Sequence, residues 1–288
     1  MDISLEDFLL GLSSNYSNIF YHENGGNAGD ALINVGFYHL AEKIGLKYQS
    51  IGDELCDFKK GDVVLVAGGG CIVPEWDSVP EYISAVLETE ADLVILPQSI
   101  NGREELLKKL RKNDVVILRE KYSYDYCSKL DLESRLFVSK DTAFYLQVEK
   151  LNVNNLKLLE FMNVKNAVRL MLILYHYYRS IFCKTIDAYR CDSEASNNNV
   201  KRKLYNDLSL VCSFGANNYN SSFLSASLFL KVLSRYEKIN TDRLHVMVGG
   251  VLLNKKVIAQ NNNYYKLKGV FEYTISKNKK FNKNTSFI

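Results

Sequence analysis

Three short runs, "DVVLVAGGG" (62–70), "DLVILPQS" (92–99) and "DVVILRE" (114–120), are apolar at nearly every central position. A strand with one wet face alternates apolar and polar residues, so a continuous apolar strand must be covered on both faces. "SNIFYHE" (17–23) and "RLFVSKD" (135–141) read as further strands, and helical stretches separate the runs. The pattern predicts a parallel sheet with helices on both sides, the doubly wound α/β class.

From about 151 to 182 the pattern turns helical, with Leu, Met and Tyr at mixed spacing. A second α/β unit is then predicted. "KTIDAYR" (184–190), "LSLVCSFG" (208–215) and "KKVIAQ" (255–260) read as strands, and "SSFLSASLFLKVLSRYEKI" (221–239) as a helix. A chain of 288 residues suffices for one large or two modest domains. The expected architecture is two Rossmann-like domains facing a cleft: an N-terminal α/β domain at 1–150, a helical connector at 151–183 and a C-terminal α/β domain at 184–288. The closing "SKNKKFNKNTSFI" (276–288) is basic and Asn-rich, and reads as a solvated tail without a specific partner.

Charge narrows the partners. Thirty-six Lys and Arg against 33 Asp and Glu give a net charge of +3, too balanced to argue for nucleic acid. The six cysteines are scattered, with no CxxC pair and no local Cys/His ligand spacing, so no metal site is expected. With no secretory signal at the start they read as reduced thiols of a cytoplasmic protein. "AVRLMLILYHYYRSIF" (167–182) is too short to span a bilayer and reads as a packed or interface-lying amphipathic helix. A peripheral contact with the inner face of a membrane is therefore among the expectations.

Four stretches can carry chemistry. In "HENGGNAGDALI" (22–33), Gly25, Gly26 and Gly29 let a backbone approach a ligand at a strand's carboxyl end, and Asp30 can cap the helix that follows. Gly26 is expected at positive φ. The same residues also fit a plain tight turn, and they match neither GxGxxG nor a P-loop. "AGGGCIVPEW" (67–76) repeats the arrangement with Gly69 and Gly70; Trp76 reads equally as a core or rim aromatic. "AYRCDSE" (188–194) sets Arg190 beside Asp192 and Glu194, either a surface salt-bridge cluster or an arginine held by acids and aimed across the cleft. In "INTDRLHVMVGG" (239–250), Thr241 or Asp242 can cap a helix with Arg243 and His245 in its first turn. A helix start prefers acidic neighbours, so two cationic groups there are unfavourable unless an anion joins them. Among the other histidines, His22 at a strand end reads as structural, and His39 and His176 as surface or packing residues.

The stretches "GGNAGD", "GGG", "LPQSI", "LREKYS", "KDTAF", "YRCDSE", "TDRLH" and "KKVIAQNNNYYKLKGVFE" run in order from about 22 to 275. In this order and rough spacing the chain resembles the polysaccharide pyruvyl transferase family. The resemblance implies a GT-B-like fold and transfer of pyruvate from phosphoenolpyruvate (PEP) to a pair of sugar hydroxyls as a ketal, releasing phosphate. The acceptor would be a polysaccharide, an oligosaccharide or a lipid-linked glycan. It implies no cofactor beyond PEP as co-substrate. Carried over by motif, Arg190, Arg243, Leu244 and His245 would bind PEP, with His245 the candidate acid or phosphate partner. Asp30 is the candidate base, and Gly25, Gly26, Asn27, Gly29, Asp30, Gly69 and Gly70 form the acceptor side. Cys191 stands where the family often has Thr, and the chain is short for the family. Two other readings share the architecture: a glycosyltransferase using a nucleotide-sugar, and a non-catalytic sugar- or anion-binding protein.

Overall fold

The computed structural model describes residues 1–52, 54–151, 161–192, 195, 202–261 and 265–288. It contains two parallel sheets. The first comprises β1 (Asn18–His22), β2 (Gln49–Ser50), β3 (Asp62–Val66), β4 (Gly69–Ile72), β5 (Asp92–Ile100), β6 (Val115–Leu118) and β7 (Arg135–Val138). Its order is β2-β1-β3-β5-β6-β7, with β4 paired to β5. The second comprises β8 (Thr185–Ala188), β9 (Lys238–Thr241), β10 (Lys256–Ala259) and β11 (Thr285–Phe287), in the order β11-β10-β9-β8.

The apolar strands behave as their sequence requires. All five residues of β3 are buried. Val63 and Leu65 join one apolar cluster, while Val64 and Val66 join another on the opposite face. The second cluster is closed by helix Ser78–Leu87 through Val79, Ile83 and Val86. The first extends much further. It takes in helix Ala28–Ile44, then helices Tyr219–Ser234 and Leu244–Leu252, and ends on β8, β9 and β10. One continuous core therefore joins the two sheets.

Helix Ala28–Ile44 is the shared element, buried without a break from Ala28 to Ala41. A capping box starts it: Asn27 Oδ1 accepts from Gly29 N, and Asp30 Oδ2 accepts from Asn27 N at 2.7 Å. Gly45, at φ 70°, ends it. Its one central amide, Asn34, is fully buried and joins both units. Asn34 Nδ2 donates to the Ala216 carbonyl at 2.6 Å, and Asn34 Oδ1 accepts from the Tyr21 hydroxyl at 2.8 Å.

Three expectations need correcting. "LSLVCSFG" is not a strand: Leu208–Val211 form a helical turn, and Leu208, Val211 and Cys212 are buried. Their spacing is i, i+3, i+4, a helical period that a short apolar run does not separate from a strand. The long helix beginning near 221 stops at Ser234, and Lys238–Thr241 form β9 instead. The basic tail is ordered. Asn278 caps the short helix Lys279–Asn282, and Thr285–Phe287 pair with β10 in register Val257↔Thr285. The asparagines that suggested a solvated tail act partly as cap and turn residues.

Two glycines make a paired test of this packing. A Cβ on Gly36, within helix Ala28–Ile44, would lie 2.1 Å from the Thr142 carbonyl oxygen. A Cβ on Gly11, in helix Leu5–Asn15, would meet nothing within 4 Å. Gly11→Ala should stabilise by up to about 1 kcal/mol through helix propensity. Gly36→Ala should destabilise by roughly 1–3 kcal/mol, because overpacking against backbone outweighs the same gain. Thermal unfolding of the two variants checks the opposite signs.

Candidate functional site

Parallel strands direct their carboxyl ends to one edge of a sheet, where ligands of open α/β folds bind. Here the loop after β1 and strand β4 with the segment after it, together with segments following β8 and β9, line one cavity of about 820 Å³. Helices Ala28–Ile44 and Leu244–Leu252 both begin at its wall, contributing Asn27 and Asp30 from one and Arg243, Leu244 and His245 from the other. Six Arg or Lys side chains face it against three carboxylates, so its charge suits an anion.

The second helix lacks the expected cap. Arg243 itself holds the N-cap position, no side chain caps the helix, and its first turn has no acid. Thr241 Oγ1 instead accepts from Arg243 N at 3.0 Å, and Asp242 is turned away from the helix. Asp242 accepts from Arg190 N at 2.8 Å and from Arg202 Nη1 at 2.7 Å. These bonds bring the ends of β8 and β9 together.

They also bring two guanidinium groups together. Arg190 donates to Asp192 through Nε (2.7 Å) and Nη2 (3.1 Å), and Arg243 Nη2 donates to the same carboxylate at 2.8 Å. Arg243 Nη2 also donates to buried Asp207. Both arginines are about 5% exposed, so the surface-cluster reading of "YRCDSE" does not hold. Burial pushes the Asp192 carboxyl up, but the Arg190 hydrogen bonds and the two guanidinium charges outweigh it, leaving a pKa of about 2. Glu194 lies outside the described residues.

His245 projects from the first turn of helix Leu244–Leu252 toward the start of helix Ala28–Ile44. A Cβ at Gly29 would lie 2.7 Å from His245 Nδ1, so only glycine admits the ring there. Nε2 lies 3.5 Å from Asp141 Oδ2, within ion-pair range but short of a formed hydrogen bond. Asp141 is held in turn by Arg119 Nη1 at 2.8 Å and by Ala143 N. Arg119 Nε donates to Ser99 Oγ at 2.8 Å. Burial raises the Asp141 carboxyl, yet His245 and Arg119 hold it well below the usual carboxylate range. Among the described residues, Arg243 Nε and His245 Nε2 are buried without a hydrogen-bond partner.

Asp30 is in a different electrostatic position. Burial dominates and raises its pKa, although His245, Arg119, Lys266 and the Asn27 amide all pull it down. Beside it, burial and the Asp30 charge push the Cys71 thiol up to about 11, which disfavours a thiolate. Gly26 is not at positive φ; its Cβ would instead collide with the Asp30 carboxylate, 2.0 Å from Oδ2. Positive φ occurs at Gly69 (143°).

Most of the anticipated residues meet at this cavity. Gly25, Gly26, Asn27, Asp30 and Gly70 line one side, and Arg190, Arg243, Leu244 and His245 the other. Gly29 and Gly69 do not line it: the first packs on His245, and a Cβ on the second would lie 3.0 Å from Asn24 Nδ2. His22, expected to be structural, stacks on Tyr82 with ring centroids 3.7 Å apart and forms part of the wall. His39 is a packing residue whose Nδ1 accepts from Gln147 N, and His176 is buried against Tyr236. Arg119, Asp141 and Lys266 carried no individual role in the sequence reading, although "LREKYS", "KDTAF" and "YYKLKGVFE" contain them. Among the described residues, no group of three His, Cys, Asp or Glu side chains converges as a metal site.

The shared carboxylate gives a pH test. A carboxyl whose pKa is lower in the folded chain stabilises the fold above its ordinary range, and the contribution is lost as pH falls through the folded value. Wild type should therefore exceed Asp192→Asn by roughly 2 kcal/mol at neutral pH. The difference should shrink as pH drops from about 4 toward 2, as read by denaturant titrations across that range.

The family model for polysaccharide pyruvyl transferase matches residues 27–264. No curated protein is significantly similar in sequence. Among solved structures, a functionally uncharacterised protein of Klebsiella pneumoniae subsp. pneumoniae superposes with a TM-score of 0.75 at 26% identity, covering 98% of this chain and 96% of that one. That likeness agrees with a mixed α/β fold of Rossmann-like type built on parallel sheets. The family match covers most of the chain, including Asn27 and Asp30 on one wall of the cavity and Arg190, Arg243 and His245 on the other, and the chain belongs to the polysaccharide pyruvyl transferase family.

Proposed function

We propose that the protein transfers pyruvate from PEP to two hydroxyls of a sugar acceptor, forming a cyclic ketal and releasing phosphate. One observation carries the reading: an arginine at the N-cap of an otherwise uncapped helix shares a carboxylate with a second buried arginine, beside a histidine, in a single cavity. PEP carries a carboxylate and a phosphate, and the planar guanidinium suits both groups.

In this reading Arg190, Arg243 and the amides of the helix start at Leu244 hold PEP on the side of residues 184–288. His245 delivers a proton to the methylene carbon, and the neighbouring carbon becomes oxocarbenium-like. A sugar hydroxyl adds to that carbon, and Asp30, its pKa raised by burial, takes the hydroxyl proton. Phosphate then leaves with its bridging oxygen, stabilised by the arginines. The second hydroxyl adds to the same carbon, passes its proton to the deprotonated His245 and closes the ketal. The acceptor approaches over Gly25, Gly26 and Gly70 from the side of residues 1–150. Written this way, the reaction draws on acid–base chemistry and positive charge, with PEP as co-substrate and no further cofactor.

Acceptor-dependent phosphate release from PEP, with a ketal detected by mass spectrometry, tests the reading. Transfer from a nucleotide-sugar, or binding without turnover, would replace it with one of the two other readings. His245→Gln should lower kcat about 10²–10⁴-fold with PEP affinity largely kept, and one limb of the wild-type pH–rate profile should vanish. Weaker PEP affinity with unchanged kcat would make His245 a binding residue only. Arg243→Lys should lose roughly 2–4 kcal/mol of transition-state stabilisation in kcat/KM, since an ammonium cannot reproduce the fork. Near-normal kcat/KM would remove Arg243 from the site.

A further inference from the structure

Helix Val164–Phe182 departs from the ordinary rule for a surface helix: Leu170, Leu172, Ile173 and Tyr177 pack on the core, yet a second apolar stripe faces outward. Such helices turn an apolar stripe inward and a polar face to water. Here the inward face includes Asn166, His176 and Ser180, buried beside Ile173. These polar groups are satisfied: His176 meets the Tyr236 hydroxyl and the Tyr205 carbonyl, each at 2.7 Å, and Ser180 donates to the Tyr177 carbonyl. The outward face carries Val164, Val168, Met171, Leu174, Tyr178 and Phe182, each between 53% and 85% exposed. Steps of three and four residues align them in one continuous stripe.

Charge and position indicate what covers the stripe. The helix contains no Asp or Glu but carries Lys165, Arg169 and Arg179, and Lys184 follows its end. An apolar stripe on a helix whose charged residues are all cations fits the headgroup layer of an anionic bilayer. No helix among the described residues is long and apolar enough to cross a membrane, so the helix would lie in the surface plane. Pairing with a second copy would set this acid-free helix against itself, like charge near like charge. The same helix also supplies Lys165 and Arg169 to the cavity wall, so the stripe and the cavity share one element.

We propose that helix Val164–Phe182 docks the protein on an anionic membrane surface through this stripe, holding the cavity at the lipid boundary. Combined with the pyruvyl-transfer reading, this selects acceptors carried on a membrane-embedded lipid. The docking itself does not rest on that reading.

Cosedimentation of the full chain with phosphatidylcholine vesicles, with and without phosphatidylglycerol, tests it. Binding should require phosphatidylglycerol, weaken with salt, and fall at least about tenfold in a Leu174→Glu/Tyr178→Glu variant. Both sites are exposed, and circular dichroism should match wild type. Phosphate release from PEP with a water-soluble sugar acceptor, measured without vesicles, should be unchanged in that variant; this second assay reports on the chemistry alone. No binding to anionic vesicles, or equal binding by the variant, would overturn the docking proposal. So would a wild-type dimer in sedimentation that the variant dissociates, which would identify a second copy as the occupant.

Discussion

Everything at the cavity depends on one helix being buried on all sides. Ala28–Ile44 packs on the first sheet and on the helices that cover the second, so its position fixes each sheet relative to the other. A helix in that place can expose no polar stripe, and its single central amide is matched on both sides through Tyr21 and Ala216. Its glycines serve close approach. Gly36 admits the backbone of Thr142, bringing the preceding Asp141 within reach of His245, and Gly29 admits the His245 ring itself. The segment "GGNAGD" thus helps locate the imidazole as well as lining the cavity.

The electrostatics follow from this geometry. Asp141 and Asp192 are carboxylates held ionised by arginines, whereas Asp30 lacks a direct guanidinium contact and burial dominates its titration. Neighbouring carboxyl groups with pKa values pushed in opposite directions can take different roles, one set orienting cations and another exchanging a proton. His245 stands between the two environments, near Asp141 on one side and Gly29 on the other.

Much of the fold is legible because the central strands of a covered parallel sheet are apolar throughout: β3, β5 and β6 fall on such runs, and β1, β7, β8 and β10 on less continuous stretches also read as strands. The failures share a physical origin. Leu208–Val211 is an apolar run too short for its period to be decided, and β9 is a four-residue strand directly after a longer helical pattern. β11 adopts its strand through pairing with β10, which local composition does not encode. At the site, the strand-end and helix-start signals named Arg190, Arg243, His245 and Asp30. Arg119 and Lys266 were not singled out, since a buried cation looks like any other until long-range packing brings acids to it. Asp207 was missed for the same reason: it is 36 residues from the arginine it holds.

Asp192 has a further consequence for recognition. Arginine is among the side chains with the most rotameric freedom, and ordering one costs about 2 kcal/mol. Here Asp192 fixes Arg190 by two bonds, and Asp192 with Asp207 fixes Arg243, within the fold itself. That entropy is lost during folding rather than when an anion arrives. An anion binding here would meet guanidinium groups already oriented, so discrimination would rest on whether its own charges match their spacing rather than on how well the pocket can rearrange around it.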